Sequence, residues 1–437
     1  MTGNADWLAR SRAAVWHPCT QMKQHESLPL VPIARGAGAW LYDFDGRRYL
    51  DAVSSWWVNL FGHGHPKINA AIASQLAELD HVLLAGFTHR GVVELSERLA
   101  AQAPGHLGHC FYGSDGASAT EIALKMSFHY WRNTGQPEKR RFVSLAQSYH
   151  GETLGALSVT DVALFRDVYA PLLQRNAPVP SPDARLAPAG TSSREHALAA
   201  AAALDAWLQE HHADTAALIV EPLVQGATGM AMYDAVYLQR ARELCTRYGV
   251  HLIADEIMTG FGRTGSMFAC EQAGIAPDFL CLSKGITGGY LPLSVVLTNE
   301  EIYAAFYDDE LARGFLHSHS YTGNALACRA ALAVLDLFRD DNVIANNRAR
   351  AAALSALATT LAAHPKVRNF RHLGMIWAFE VESARSDFSR WFFAEALARE
   401  LLLRPIGHTV YWMPPYCLMH EDMALLVERT QEIVECA

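Results

Sequence analysis

Three short apolar runs constrain this chain more than any other feature: Ala216-Ala-Leu-Ile-Val220, His251-Leu-Ile-Ala254 and Phe279-Leu-Cys-Leu282, each followed by a polar or ionisable residue. Runs this short, bounded by polar turns, are what strands buried on both faces of a parallel sheet require. From about residue 66 they alternate with helical patterns such as Ile68 to Leu79 and Val92 to Gln102, which is the βα alternation of an α/β domain. Ligands in open α/β sheets bind beyond the carboxyl ends of the strands. The residues delivered there are Glu221, Asp255 with Glu256, and Ser283 with Lys284.

At 437 residues, 51% hydrophobic and 19% charged, the chain has ample material for a large core. A chain of this size buries about 75% of its unfolded surface, and the composition excludes global disorder and coiled coil. Asp45-Gly46 between Trp40-Leu-Tyr-Asp and Arg48-Tyr-Leu-Asp predicts an N-terminal hairpin. The Pro/Ser-rich stretch from Pro171 to Arg194 reads as a surface loop, followed by an Ala-rich helix from Glu195 to Glu210. After a helix beginning near Asn324 the chain leaves the sheet, and Val367 to Val381 with Leu403 to Tyr411 predicts a smaller α+β domain. We therefore expect residues 1–65 to join a small domain completed by 330–437, around a large domain at 66–329.

With 36 basic and 45 acidic residues the net charge is −9, and no Lys/Arg cluster forms a stripe, so nucleic acid and anionic membrane are poor partners. Met1 to Asp6 lacks a basic region leading into an apolar one, and no apolar stretch reaches the ~18 residues of a membrane span. A cytoplasmic location is expected. The eight cysteines are scattered without a C-x-x-C pair and read as reduced thiols, several of them buried.

The chemistry centres on Lys284 in Cys281-Leu-Ser-Lys-Gly-Ile-Thr-Gly-Gly289. A lysine delivered from a buried strand into a glycine-rich turn is partly desolvated, which lowers its pKa and frees the amine for a Schiff base. Alone, Ser-Lys-Gly is better read as a lysine snorkelling at a strand end. Asp255 closes the neighbouring strand; a buried carboxylate there can keep the ring nitrogen of a pyridine cofactor protonated. Phe111-Tyr-Gly-Ser-Asp-Gly-Ala-Ser118 is a strand-turn-helix transition in which the N–H groups of Gly116 and Ala117 can face an anion, though an ordinary capped helix would look the same. It matches neither G-x-G-x-x-G nor the P-loop, which argues against a dinucleotide or ATP. Tyr149, just beyond another short strand, can stack on a ring or simply pack in the core. Lysine, aspartate, anion cup and aromatic together form the set that pyridoxal phosphate requires.

Asp255 to Gly265, Lys284 with its glycines, and His317-Ser-His-Ser-Tyr-Thr-Gly-Asn324 resemble the class-III (ω-amino) aminotransferases, nearly end to end. The resemblance implies the aspartate-aminotransferase-like fold type I of pyridoxal-phosphate enzymes, with a large, mainly parallel α/β domain and a smaller α+β domain. Trp16-His-Pro, Ser54-Ser-Trp-Trp57, Tyr149-His-Gly, Arg404-Pro-Ile-Gly407 and Trp412-Met-Pro-Pro415 are similar to the branch that aminates 8-amino-7-oxononanoate in biotin biosynthesis, usually with S-adenosylmethionine as donor. By that resemblance Lys284 carries the cofactor and shuttles the proton, and Asp255 partners the ring nitrogen. Gly116 and Ala117 hold the phosphate with His319 and Ser320 of the other subunit, so the active form is a homodimer with active sites at its interface. Trp56, Tyr149, Ser318 and Arg404, with Cys19, line the substrate site.

A long apolar chain ending in a carboxylate suits an arginine and an aromatic wall, although a tryptophan pair is also a core feature, more so for Trp57 than Trp56. Arg263 is either structural or a donor contact. The branch commonly has Tyr where Cys19 stands, Ser at Ala117 and Thr at Ser320. Cys19 leaves the donor open between S-adenosylmethionine and lysine. Two other readings compete: another ω-amino acid or amine aminotransferase, and a metal hydrolase built on His63-Gly-His65, His211-His212 and His317-Ser-His319.

Overall fold

The computed structural model describes residues 3–28, 30–174 and 176–437. The chain forms two compact units: one of residues 67–348 with 373–375, the other of the chain up to Pro66 with Ala349–His372 and Ile376–Ala437. In the first, the apolar runs become neighbouring strands of a seven-stranded sheet. Its strands are β1 (His109–Gly113), β2 (Arg141–Leu145), β3 (Ala177–Val179), β4 (Thr215–Val220), β5 (His251–Asp255), β6 (Phe279–Leu282) and β7 (Ser294–Thr298), in the order β1-β7-β6-β5-β4-β2-β3. All neighbours from β6 to β3 are parallel. Only β7 runs antiparallel, to both β6 and β1.

Register positions the functional residues. Ala254 lies opposite Val220 and Asp255 opposite Cys281, so Glu221, Asp255 and Lys284 emerge from the same edge of the sheet. Every residue of β4, β5, β6 and β7 is buried. Ile219, Ile253, Phe279 and Val296 share a core with Ile122, Ala123, Met126 and Tyr130 of helix α1 (Gly116–Asn133), whose apolar spacing turns one face to the sheet. Each large aliphatic or aromatic side chain so buried contributes about 1.5–3 kcal/mol.

Three expectations need correction. The stretch from Pro171 to Arg194 is not all loop: β3 lies within it, paired to β2 through Val143 and Ala177. An edge strand needs no hydrophobic periodicity and tolerates a proline such as Pro178; Arg175, in the same stretch, lies outside the described residues. The expected break after residue 329 falls inside the helix Ala325–Asp340, which buries ten residues and is tied to the helix Arg90–Gln102 by Arg98 and Asp336 at 2.9 Å, so the division comes after Arg348. Of Leu403 to Tyr411, only Thr409–Trp412 spans a strand.

In the other unit the hairpin forms about Asp45-Gly46, with Gly46 at φ 90° and Trp40 opposite Leu50. Ile33–Ala37 adds on one side and Leu401–Leu402 pairs in parallel with Arg48–Asp51 on the other. Val367–Leu373, Ile376–Val381 and Thr409–Trp412 form a separate three-stranded sheet. Among the described residues no helix is long and apolar enough to cross a membrane. Cys245, Cys270, Cys281 and Cys328 are buried free thiols, whereas Cys19 and Cys436 are exposed.

Candidate active site

Four ionisable groups converge at the carboxyl edge of the sheet. Asp255 is buried and its Oδ2 pairs with Nδ1 of buried His150 at 2.7 Å, while its Oδ1 accepts from the Ile257 N–H at 3.1 Å. Glu221, also buried, accepts from the backbone N–H groups of Tyr149 (3.0 Å) and Gly226 (2.8 Å). Burial pushes its carboxyl up to about 7, with His150 pulling it down and Asp255 pushing it further up. Lys284 feels both carboxylates. Burial draws its ammonium below the ordinary lysine value, against the opposing pull of Asp255 and Glu221. It is held at φ 45°, a left-handed conformation that a non-glycine residue keeps only when its surroundings impose it.

The anion cup is built by close packing. Asp115 caps α1 by accepting from the Ser118 N–H at 2.9 Å, so Gly116 and Ala117 stand in the first turn, whose N–H groups have no acceptors within the helix. A Cβ on Gly116 would meet Ile257 at 3.0 Å. At Gly151 it would lie 2.6 Å from the Ala117 Cβ, at φ 121°. Tyr149-His150-Gly151 is thereby explained as a unit: a partly exposed ring, a partner for Asp255, and a glycine pressed against the cup. The Tyr149 hydroxyl donates to Glu152 at 2.9 Å and its ring meets Phe165 edge-on at 5.3 Å, so it is not a core tyrosine.

His319 Nδ1 lies 3.1 Å from Ser114 Oγ of the same chain, immediately before the cup. The Ser320 carbonyl pairs with His81 at 2.8 Å, and Ser318 is exposed with its backbone on the same loop. The histidine pairs weighed as zinc ligands have other partners: His63 meets Asp51, His317 meets Lys125 and His212 meets the Leu208 carbonyl. No group of three His, Cys, Asp or Glu suited to a metal occurs among the described residues.

The remaining three candidates meet in the other unit. The Arg404 guanidinium lies 4.8 Å from the Trp56 ring centroid, and its Nη2 donates to the Cys19 carbonyl at 3.3 Å. All three are exposed, Trp56 by 44%. Trp57 is core: it is buried and its Nε1 donates to the Tyr411 hydroxyl at 3.1 Å. The pair is split between surface and core because Ser54, Ser55, Trp56 and Trp57 all have positive φ, at 51°, 45°, 73° and 72°. This is a left-handed helical turn, closed by Trp57 N–H to Val53 O and Val58 N–H to Ser54 O. Left-handed helix costs about 1–2 kcal/mol per residue.

These residues fit pyridoxal phosphate. Asp255 is buried with a histidine behind it, the Nε2 of that His150 is buried without a hydrogen-bond partner, Lys284 has a weakened hold on its proton, and two small residues open a helix start. Glu221 appeared in the sequence only as a strand-end residue and His150 only as part of a motif. Their partners, Tyr149 and Asp255, are remote in sequence, and no local signal announces such pairings.

The class-III aminotransferase family model matches residues 21–434. The chain is 47% identical over 430 residues to an adenosylmethionine-8-amino-7-oxononanoate aminotransferase of Helicobacter pylori, covering 96% of each. A protein of the same name from Synechococcus elongatus is 43% identical, over 94% of this chain and 96% of its own. Among solved structures, the adenosylmethionine-8-amino-7-oxononanoate aminotransferase of Methanocaldococcus jannaschii superposes with a TM-score of 0.92 at 33% identity, over 99% of both chains. The ω-transaminase of Pseudomonas jessenii in complex with PMP superposes at 0.93 with 27% identity, over 98% and 97%.

Proposed function

Because this chain belongs to the class-III aminotransferase family, we propose that it aminates 8-amino-7-oxononanoate to 7,8-diaminononanoate, with S-adenosylmethionine as amino donor, as a cytoplasmic homodimer. Its fold is type I, and its cofactor is the pyridoxal phosphate of that family. When bound, the cofactor supplies an electron sink for charge developing at the carbon next to the transferred nitrogen. Lys284, its proton affinity lowered by burial, would hold the cofactor through Nζ and, once released, would take and return the substrate proton at that atom. Asp255, oriented by His150, would hold a proton on the ring nitrogen. Gly116 and Ala117 would bind the phosphate at the positive end of α1. Tyr149 would cover the ring.

The observation that carries the acceptor is the seating of Arg404 against Trp56. A guanidinium takes the substrate carboxylate and an indole packs along its methylene chain. Arg404 touches residue 19 through the backbone carbonyl, a contact that any side chain leaves intact; the Cys19 thiol lacks only the reach of a phenol. Cys19 thus leaves lysine as a second reading for the donor beside S-adenosylmethionine. The homodimer is supported by Tyr307, Leu311, Leu316 and Tyr321, exposed by 80, 75, 72 and 65%. Large apolar residues gathered in one segment favour burial against another protein, and His319 and Ser320 lie in the same segment.

Single-turnover absorbance of the purified holoenzyme tests the reading. S-adenosylmethionine is expected to bleach the aldehyde form of the cofactor, and 8-amino-7-oxononanoate to restore it. If only L-lysine bleaches it, the acceptor assignment stands with another donor. If the oxononanoate restores nothing, the assignment fails.

A further inference from the structure

Four consecutive left-handed residues without a glycine do not persist unless something outside the turn holds them. Here the hold centres on Asp51, a fully buried carboxylate with three donors about it. Its Oδ1 accepts from the Ser55 N–H at 2.8 Å and its Oδ2 from the Ser55 hydroxyl at 2.7 Å. The third is His63 Nε2, at 3.0 Å from Oδ2. The protonation of that imidazole follows from its other neighbour. Asn59 Oδ1 accepts from the Gly62 N–H at 2.8 Å, so the amide turns its NH2 toward His63 Nδ1 at 3.1 Å. An NH2 only donates; Nδ1 is therefore the acceptor, and Nε2 carries the hydrogen given to Asp51.

The flanking residues are fastened too. The Ser54 hydroxyl donates to the Met413 carbonyl at 2.7 Å, and Trp57 is anchored on Tyr411. Trp56 alone of the four is exposed. A right-handed turn through the same residues would reverse the sense in which successive side chains are presented and would carry the Trp56 ring away from Arg404.

We propose that Asp51, oriented by His63 and Asn59, is a positioning residue for acceptor binding: it keeps the Ser54–Trp57 turn left-handed and thereby holds Trp56 against Arg404. The inference rests on the reading of Trp56 and Arg404 as the acceptor's carboxylate site. Asp51 touches neither substrate nor cofactor. It acts on specificity through the turn.

The experiment is a double-mutant cycle on the holoenzyme with Asp51→Asn and Trp56→Ala, measuring acceptor KM, kcat and the rate of the donor half-reaction. Asparagine has one acceptor oxygen in place of two, so it loses either the Ser55 N–H or the Ser55 hydroxyl together with His63. Asp51→Asn is expected to raise the acceptor KM roughly 10- to 100-fold, as displacements of a binding group do, while kcat at saturating acceptor and the donor half-reaction stay near parental values. In the Trp56→Ala background the same substitution should add little. An equal factor in both backgrounds, or a matching fall in both half-reactions, would show general damage and overturn the proposal. If Trp56→Ala alone leaves the acceptor KM at the parental value, the carboxylate-site reading itself has failed, and this inference fails with it. Should Asp51→Asn not fold, Ser55→Ala, which removes only the hydroxyl bond, carries the same cycle with a smaller expected effect.

Discussion

Burial decides the charge of single residues throughout the large unit, and His251 is the cleanest instance. Its ring stacks 4.5 Å from Trp131, and its Nδ1 meets the Ser127 hydroxyl at 2.9 Å. Burial, with Arg242 and Lys139 nearby, brings its pKa down to about 3. The folded protein thus keeps His251 neutral where an unfolded chain takes up a proton, so stability is complete above the ordinary value of 6.5 and is lost as pH falls toward 3. His251→Gln should therefore lose about 2–3 kcal/mol less than the parent between pH 7 and pH 4.5. Urea unfolding at the two pH values measures this, and equal losses would refute it. At this scale the sequence was informative where chemistry coincided with a strand end. Lys284 and Asp255 stood out because each closes an apolar run. His150 did not, because what makes it useful is a carboxylate more than a hundred residues away.

Elements were legible in proportion to their burial. Strands β4, β5 and β6 are buried throughout and announced themselves as apolar runs. Strand β3 lies at the sheet edge and looked like a loop. The left-handed turn at Ser54–Trp57 was invisible, since its conformation comes from Asp51 and Met413 and not from local preference, which for serine and tryptophan opposes it. Where a glycine is required the signal is clearer. Gly151→Ala should destabilise the protein by about 1–3 kcal/mol through its overlap with Ala117, and should also weaken pyridoxal phosphate retention by displacing the start of α1. Gly135→Ala is the control: its φ is 80°, but nothing lies within 4 Å, so it carries backbone strain alone. Melting temperature and cofactor titration compare the two, and equal effects would mean that the cup does not depend on this contact.

The whole molecule is two units, the smaller assembled from both ends of the chain. The boundary after Arg348 was not legible in the sequence, because the helix Ala325–Asp340 is apolar on the faces that hold it to the large unit and resembles any buried helix. At this scale the prediction concerns assembly. Light scattering should give twice the 48.1 kDa chain mass. Replacing Leu311 and Leu316 together by Glu should yield monomers that lose cofactor and turnover, whereas a fully active monomer would remove the dimer from the mechanism. The pairing of β1 with β7 also orders synthesis in time. His109 pairs with Thr298 and Leu50 with Leu401, so both closures span long stretches of chain and are slow to find. A ribosome delivers β7 well before Leu401, so the strands bearing Lys284 and Asp255 are all present while Arg48–Asp51 still waits for its parallel neighbour. The nascent chain can complete the sheet edge that carries Lys284 and Asp255 before it can complete the sheet that leads into the Ser54–Trp57 turn.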